Sequence, residues 1–139
     1  MKHNPPSKTI TVMIQAKPSL VYSYVRNGFN LPNWAKSFCK TVERGEDRYW
    51  NVKTYNGVRR IRFVEDNPLG VLDHYVAIQN NPEYQVPMRV LEVQGGCEVQ
   101  ITLFRQPQDT DETFSFKEKV ALEDLNSLRE VIESGKHTP

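Results

Sequence analysis

The sequence predicts an α+β fold, in which a curved antiparallel sheet of about seven strands wraps around one long C-terminal helix. Two short helices are expected after the first strand. In the centre of the chain, short segments rich in β-branched residues alternate with strong turn signals. The C-terminal part then changes to a helical period. The 139 residues suit a single domain, with an ordered core expected over about residues 8–133.

The N-terminal part of the chain predicts one strand followed by two short helices. Residues 8–15, KTITVMIQ, alternate in polarity and are rich in β-branched side chains, which is typical of a strand. Pro18 then begins a short helix that ends at Gly28. A second short helix is expected within NLPNWAKSF, residues 30–38, where the proline suits a first helical turn. It runs into a strand near 38–44.

Five further strands are expected in the centre of the chain, separated by the turn signals GED, NG, DNPLG, NNPE and GG. Strands this close in sequence, joined by short turns, form an antiparallel meander. One face of this sheet is apolar and must pack against the long helix, while the other is polar and solvated. The predicted strands are 48–55, 58–65, 71–79, 86–94 and 97–105.

Two of these turns predict how the neighbouring strands pair. A two-residue loop of Asn-Gly places Tyr55 opposite Val58, because hairpin loop length sets the register. A Gly-Gly loop in the last hairpin places Gln94 opposite Cys97 by the same argument.

The C-terminal segment predicts an amphipathic helix of some six turns. Asp109 or Thr110 is expected as its N-cap, with acidic residues in the first turn. Its apolar residues recur about three, four or seven positions apart, which indicates one buried stripe. They are Phe114, Ala121, Leu125, Leu128 and Ile132.

The stretch GVLDHYVAI, residues 70–78, places an acid and an imidazole side by side. Successive side chains of a strand point to opposite faces, so Asp73 and His74 are not expected to form a catalytic pair. Asp73 is interpreted as an outward carboxylate opposite Arg62, with Arg60 and Arg89 nearby, in a surface charge ladder. His74 is the ionisable residue in the middle of the inner face. It is either a hydrogen-bonded core histidine or a polar group that orients a ligand or moves a proton in an apolar pocket.

Composition and charge narrow the classes of function. The chain has 18 Lys and Arg against 17 Asp and Glu, so its net charge gives no sign of a nucleic-acid partner. No apolar run approaches the roughly 18 residues of a membrane helix, so no stable membrane insertion is expected. The opening MKHNPPSK lacks the apolar segment of a signal peptide, which makes a cytoplasmic location the default expectation.

No metal or cofactor signature is present in the sequence, so none is expected. The histidines His3, His74 and His137 are scattered, and the first and last lie in ends that are expected to fray. Nucleophile-elbow, phosphate-loop and dinucleotide motifs are absent. Cys39 and Cys97 form no CxxC motif, and both free thiols and a disulfide stay open.

Several segments together resemble the START-like, helix-grip superfamily, also called SRPBCC, over about residues 8–133. They are TITVMIQAKPSLVYSYV, NLPNWAKSF, GVLDHYV, VPMRVLEVQGGCEVQITLFR and DETFSFKEKVALEDLNSLREVIE. The superfamily includes polyketide cyclases, aromatase-type proteins and birch-pollen-allergen-like carriers, and the chain looks most like its uncharacterised bacterial branch. The resemblance implies a deep cavity between sheet and helix that holds a hydrophobic molecule. No set of catalytic residues carries over position by position.

Three functions follow as hypotheses. The first is binding of a small hydrophobic ligand of lipid, polyketide or aromatic type, with His74 as the orienting group. The second is an enzyme of the cyclase or dehydratase type that uses His74 as general acid and base. The third is a protein-interaction module with a filled core, and a homodimer stays open. The apolar cavity wall is expected to comprise Trp34, Trp50, Phe63, Met88, Val90, Ile101 and Phe114.

Overall fold

The computed structural model describes residues 7–79 and 81–135. His3 and His137 lie outside this part of the chain, as do most of the residues expected to fray. Within it, the chain forms three α-helices, one short 3-10 helix over Gly28–Asn30, and eight strands. The helices are α1 (Pro18–Arg26), α2 (Leu31–Trp34) and α3 (Asp111–Glu133). The strands are β1 (Ser7–Ile14), β2 (Cys39–Arg44), β3 (Trp50–Thr54), β4 (Gly57–Phe63), β5 (His74–Ala77), β6 (Tyr84–Val86), β7 (Met88–Val93) and β8 (Gly96–Phe104).

The predicted α+β architecture with a long C-terminal helix is confirmed, with the strands in two antiparallel sheets. One sheet has the order β1-β8-β7 and the other the order β2-β3-β4-β5-β6. The strand expected over 86–94 is divided at Pro87, because proline has no N–H to donate to a ladder. Its first part pairs with β5 and its second with β8, which raises the number of strands to eight.

Backbone hydrogen bonds hold the two sheets together next to this break. Leu72 N–H donates to the carbonyl of Met88 at 2.8 Å, and Val90 N–H donates to the carbonyl of Gly70 at 2.9 Å. The segment before β5 therefore lies against β7, although it belongs to the chain of the other sheet. The two sheets join here into one curved surface.

Asp73 stabilises the same junction. Its predicted position opposite Arg62 is wrong, because Tyr75 lies there, whereas its predicted proximity to Arg89 is confirmed. It is only 7% exposed, accepts a hydrogen bond from the backbone N–H of Met88 at 2.9 Å, and lies 3.1 Å from the guanidinium of Arg89. Arg62 pairs with Glu83 instead. The partners of Asp73, Gln85 and Arg89, belong to the polar face, so its side chain keeps the face that strand alternation predicts and is buried there by its neighbours. The carboxylate thus turns toward β7.

The first hairpin closes one residue earlier than predicted. Thr54 lies opposite Gly57, so the predicted pair of Tyr55 and Val58 is wrong. An Asn-Gly loop of the expected type needs a positive φ at both central residues, whereas here Gly57 has φ +113° and Asn56 does not have a positive φ. The hydroxyl of Thr54 closes the turn by accepting from Asn56 N–H and donating to the Gly57 carbonyl.

The last hairpin shows the same shift. Val93 lies opposite Gly96, so the predicted pair of Gln94 and Cys97 is wrong. In both hairpins the cross-strand pairing moves by two positions. Since side chains alternate with a period of two, this shift leaves every residue on its predicted face.

The long helix α3 begins as the sequence predicts. Thr110 is its N-cap and forms a reciprocal capping box with Thr113. Its buried stripe includes Leu125, Leu128 and Ile132. The helix packs chiefly on β1 and α2, touches β8 more sparsely, and stands farther from the central strands β3–β6. The three residues of that buried stripe nevertheless belong to one contiguous core with inner-face residues of the larger sheet, such as Val52 and Phe63.

Two further features complete the fold. Cys39 and Cys97 are both buried free thiols, so no disulfide joins them. Among the described residues, no helix combines the length and the apolar character that crossing a bilayer requires.

Candidate functional site

His74 lies on the inner face of the larger sheet, as the sequence predicts. Its neighbours across the ladders are Phe63 on β4 and Val86 on β6, both buried. The imidazole and the Phe63 ring have centroids 5.3 Å apart. The Nδ1–H donates to the carbonyl of Leu72 at 3.0 Å, because a carbonyl oxygen can only accept. In the neutral ring, the second nitrogen, Nε2, then carries the lone pair.

The surroundings of His74 favour a neutral imidazole. Burial lowers the pKa of this group below its ordinary value of 6.5, and the Leu72 carbonyl and the charge of Asp73 oppose that effect only in part. The side chain nevertheless keeps some accessible surface. Its cross-strand neighbours Phe63 and Val86 are both buried, which places the imidazole among the side chains of the inner face. The histidine thus presents a neutral hydrogen-bonding group to the interior.

The residues predicted to form an apolar cavity wall differ in how deeply they are buried and in whether they belong to the main core. Trp34, Trp50, Phe63, Met88 and Val90 are buried members of one contiguous core, and Ile101 is partly buried against it. Phe114 is buried near the start of α3 but lies outside that contiguous core. Direct contact of these residues with a ligand stays a prediction.

Trp34 contributes an unexpected polar feature. Its indole Nε1–H is buried and has no hydrogen-bond partner among the residues described. A buried donor left without a partner costs about 1–3 kcal/mol. An oxygen atom of a bound molecule would relieve that cost, so this donor is a second candidate for ligand contact.

Asp124 is a buried carboxylate that the sequence interpretation missed. It lies on α3, is 6% exposed, and accepts from the backbone N–H of Ser37 at 3.0 Å. Burial raises the pKa of the Asp124 carboxyl to about 6. Helical spacing contained the signal, because Asp124 stands three residues after Ala121 and four before Leu128 on the apolar stripe. Its role is to attach α3 to the segment between α2 and β2.

Three arginines at one end of the larger sheet were also missed. Arg26, Arg44 and Arg48 lie around a pocket of about 260 Å³ that Trp50 and Phe63 complete. No local motif unites the arginines, since each belongs to a different segment of the chain. Within the two described ranges, no group of three or more His, Cys, Asp or Glu side chains is arranged to hold a metal ion.

Comparison with known proteins identifies the fold. No protein-family model matches the chain, and no curated protein matches it in sequence. Among solved structures, it is similar to the Aha1 dimer from Colwellia psychrerythraea, with a TM-score of 0.73, 18% identity, and coverage of 94% of this chain and 98% of that one.

Two further solved structures share the architecture. DynU16, from the dynemicin biosynthetic locus, gives a TM-score of 0.72 at 15% identity, with coverage of 95% of this chain and 49% of DynU16. Ara h 8.0201 gives 0.70 at 10% identity, with coverage of 92% and 97%. The protein therefore has the START-like, helix-grip fold. At these identities the likeness concerns the fold, and the homodimer stays a prediction.

Proposed function

We propose that the protein binds a small hydrophobic molecule in the interior between α3 and the larger sheet. The proposal rests on the position of His74. Its imidazole is desolvated, the residue keeps some accessible surface, and it lies in the middle of an apolar face. Ligand sites of this class are mostly apolar, with a few polar groups that fix orientation. The position of DynU16 in a biosynthetic locus supports a small-molecule ligand for this fold.

The polar groups available to such a ligand are few and well defined. Nε2 of His74 can accept a hydrogen bond, while the unpartnered Nε1–H of Trp34 can donate one. A ligand of lipid, polyketide or aromatic type with one hydroxyl and one carbonyl group would satisfy both.

Filling the interior tests the proposal. Ile101 points inward beside Met88, whereas its neighbour Gln100 points outward beside Arg89. We expect Ile101→Trp to weaken binding of a hydrophobic compound by at least about tenfold, which corresponds to about 1.4 kcal/mol. Native mass spectrometry against a library of lipids and aromatic polyketides identifies the compound, and a fluorescence titration then measures its affinity.

The matched control is Gln100→Trp, which adds the same ring on the opposite face and should leave the affinity unchanged. Thermal melting verifies that both variants are folded. The proposal is contradicted if the unaltered protein retains no compound from the library, or if both substitutions weaken binding equally.

A second candidate function is a cyclase or dehydratase reaction in which His74 acts as general base. The hydrogen bond from Nδ1 to Leu72 favours it, because this bond fixes the tautomer and directs the basic nitrogen inward. The pKa of His74 lies below 6.5, so the base is neutral and active above that pKa. Turnover should therefore fall as the pH drops through this lowered pKa.

The test compares turnover and binding of a polyketide-type compound identified by the library screen. Loss of turnover in His74→Ala with retained folding and retained binding supports catalysis. Binding without any chemical change in the compound, monitored by mass spectrometry, would eliminate the second function and leave the first intact.

A further inference from the structure

The arginine pocket lies where five segments of the chain converge at one end of the larger sheet. Arg26 is the last residue of α1, Arg44 the last of β2, and Arg48 lies in the turn before β3. Trp50 begins β3 and Phe63 ends β4. The pocket measures about 260 Å³, and its wall combines three arginines with two aromatic residues. Such a composition suits a molecule that has both a charged and an apolar part.

The guanidinium groups are incompletely neutralised. Arg26 lies 3.9 Å from Asp66, and Arg48 lies 3.4 Å from Glu65, but both carboxylates are largely exposed. Exposed ion pairs contribute little, about 0–1 kcal/mol. Arg44 has no ion-pair partner in the described part of the chain and lies over the Trp50 ring, 4.7 Å from its centroid. At least one positive charge is thus left for an anion.

The apolar wall of the pocket is held in place by its surroundings. The Trp50 ring packs directly on Gly28, where even a Cβ atom would overlap it, and meets Phe29 edge-on with centroids 4.9 Å apart. On the other side, Phe63 lies between the pocket and His74, whose ring centroid is 5.3 Å away. One aromatic side chain therefore separates the arginines from the interior histidine.

We propose that this pocket binds the acidic head group of an amphipathic organic acid, whose apolar part extends past Phe63 toward His74. This proposal rests on the proposed function. It specifies in addition that the hydrophobic ligand carries an acidic group. Arginine is suited to the task because its planar guanidinium donates two parallel hydrogen bonds to a carboxylate or a similar oxyacid.

Two dyes with the same aromatic skeleton separate this proposal from simple hydrophobic binding. Anilinonaphthalene sulfonate carries an acidic group, and phenylnaphthylamine lacks it; both fluoresce more strongly in apolar sites. We expect the sulfonate to bind the native protein at least about tenfold more tightly than the amine, the size of effect that a charge-assisted hydrogen bond gives. Added salt should reduce that preference, because ions screen the arginine charges.

Substitutions then locate the effect. Arg44→Gln and Arg48→Gln should each weaken the sulfonate about tenfold and leave the amine unchanged. The control is Arg60→Gln, which removes an equal charge from an exposed arginine on β4 that stacks on Tyr49 and does not line the pocket. It should affect neither dye. Arg48→Gln keeps the test valid if Arg44→Gln fails to fold. The Arg48 side chain is 66% exposed in a turn, so its substitution should not disturb folding.

The outcomes distinguish the two proposals. If neither dye binds the native protein, the acid-binding pocket is wrong, and the library screen alone decides whether hydrophobic binding stands. If the amine binds as tightly as the sulfonate, or if Arg60→Gln weakens the sulfonate as much as Arg44→Gln does, the acid-binding pocket is wrong while hydrophobic binding stands.

Discussion

Gly70→Ala is expected to lower the free energy of unfolding by at least about 3 kcal/mol, because two penalties act together. Gly70 has φ +74°, a conformation that costs an L-residue about 1–2 kcal/mol. The new Cβ would also overlap the backbone carbonyl oxygen of Val90, which cannot rotate away as a side chain would. Relief of this overlap separates Gly70 from β7 and breaks the hydrogen bond that joins the sheets.

Gly95→Ala is the matched control for this substitution. Gly95 also has a positive φ, +89°, but no atom lies within 4 Å of the position that the added methyl group would occupy. Only the backbone penalty remains, so a loss of about 1–2 kcal/mol is expected. Urea unfolding followed by circular dichroism measures both variants. Equal losses would show that the approach of Gly70 to β7 contributes nothing to stability.

Gly28→Ala is expected to destabilise the protein by about 1–3 kcal/mol and to change the arginine pocket. The added methyl group would overlap Cδ2 and Cε2 of Trp50, so the ring must move. Since Trp50 lines the pocket, we expect a shift in its fluorescence and weaker binding of the sulfonate dye. A Trp34→Phe background leaves Trp50 as the single tryptophan and makes the signal specific.

Gly45→Ala provides the comparison, because it lies in the turn that follows β2. Its Cβ would meet the side-chain oxygen of Asn51 at 2.9 Å, and that flexible group can move aside. We expect a change of at most about 0.5 kcal/mol, as for most surface substitutions, and an unaltered Trp50 spectrum. An unchanged spectrum in Gly28→Ala would contradict the tight packing of the ring on this glycine.

The face of the sheet on which each side chain lies could be predicted, because side chains along a strand alternate with a period of two. This is why the inward position of His74 is correct although both hairpin registers are wrong. Asp73 shows the limit of that reasoning. Its side chain lies on the predicted polar face, but nothing local reveals that Arg89 and the backbone N–H of Met88 bury it.

The pocket could not be predicted for a different reason. Its arginines are separated by up to 22 positions in the chain, and in isolation each is typical of a solvated surface. Their convergence depends on how α1 and the turn before β3 meet, which is a property of tertiary packing. The burial of Asp124 could have been predicted from the sequence, because the helical period places this residue on the buried stripe of α3.

The pairing of β1 with β8 has a consequence for the order of events during synthesis. Thr9 contacts Thr102, 93 residues away, and the backbone of Gln15 binds Glu133, 118 residues away. During synthesis, β1 leaves the ribosome well before β8 and the end of α3, so it must wait for both before it finds its partners. Contacts this distant in sequence slow folding and leave β-rich segments exposed to association with other chains. β1 is thus left without its partner strand throughout that interval.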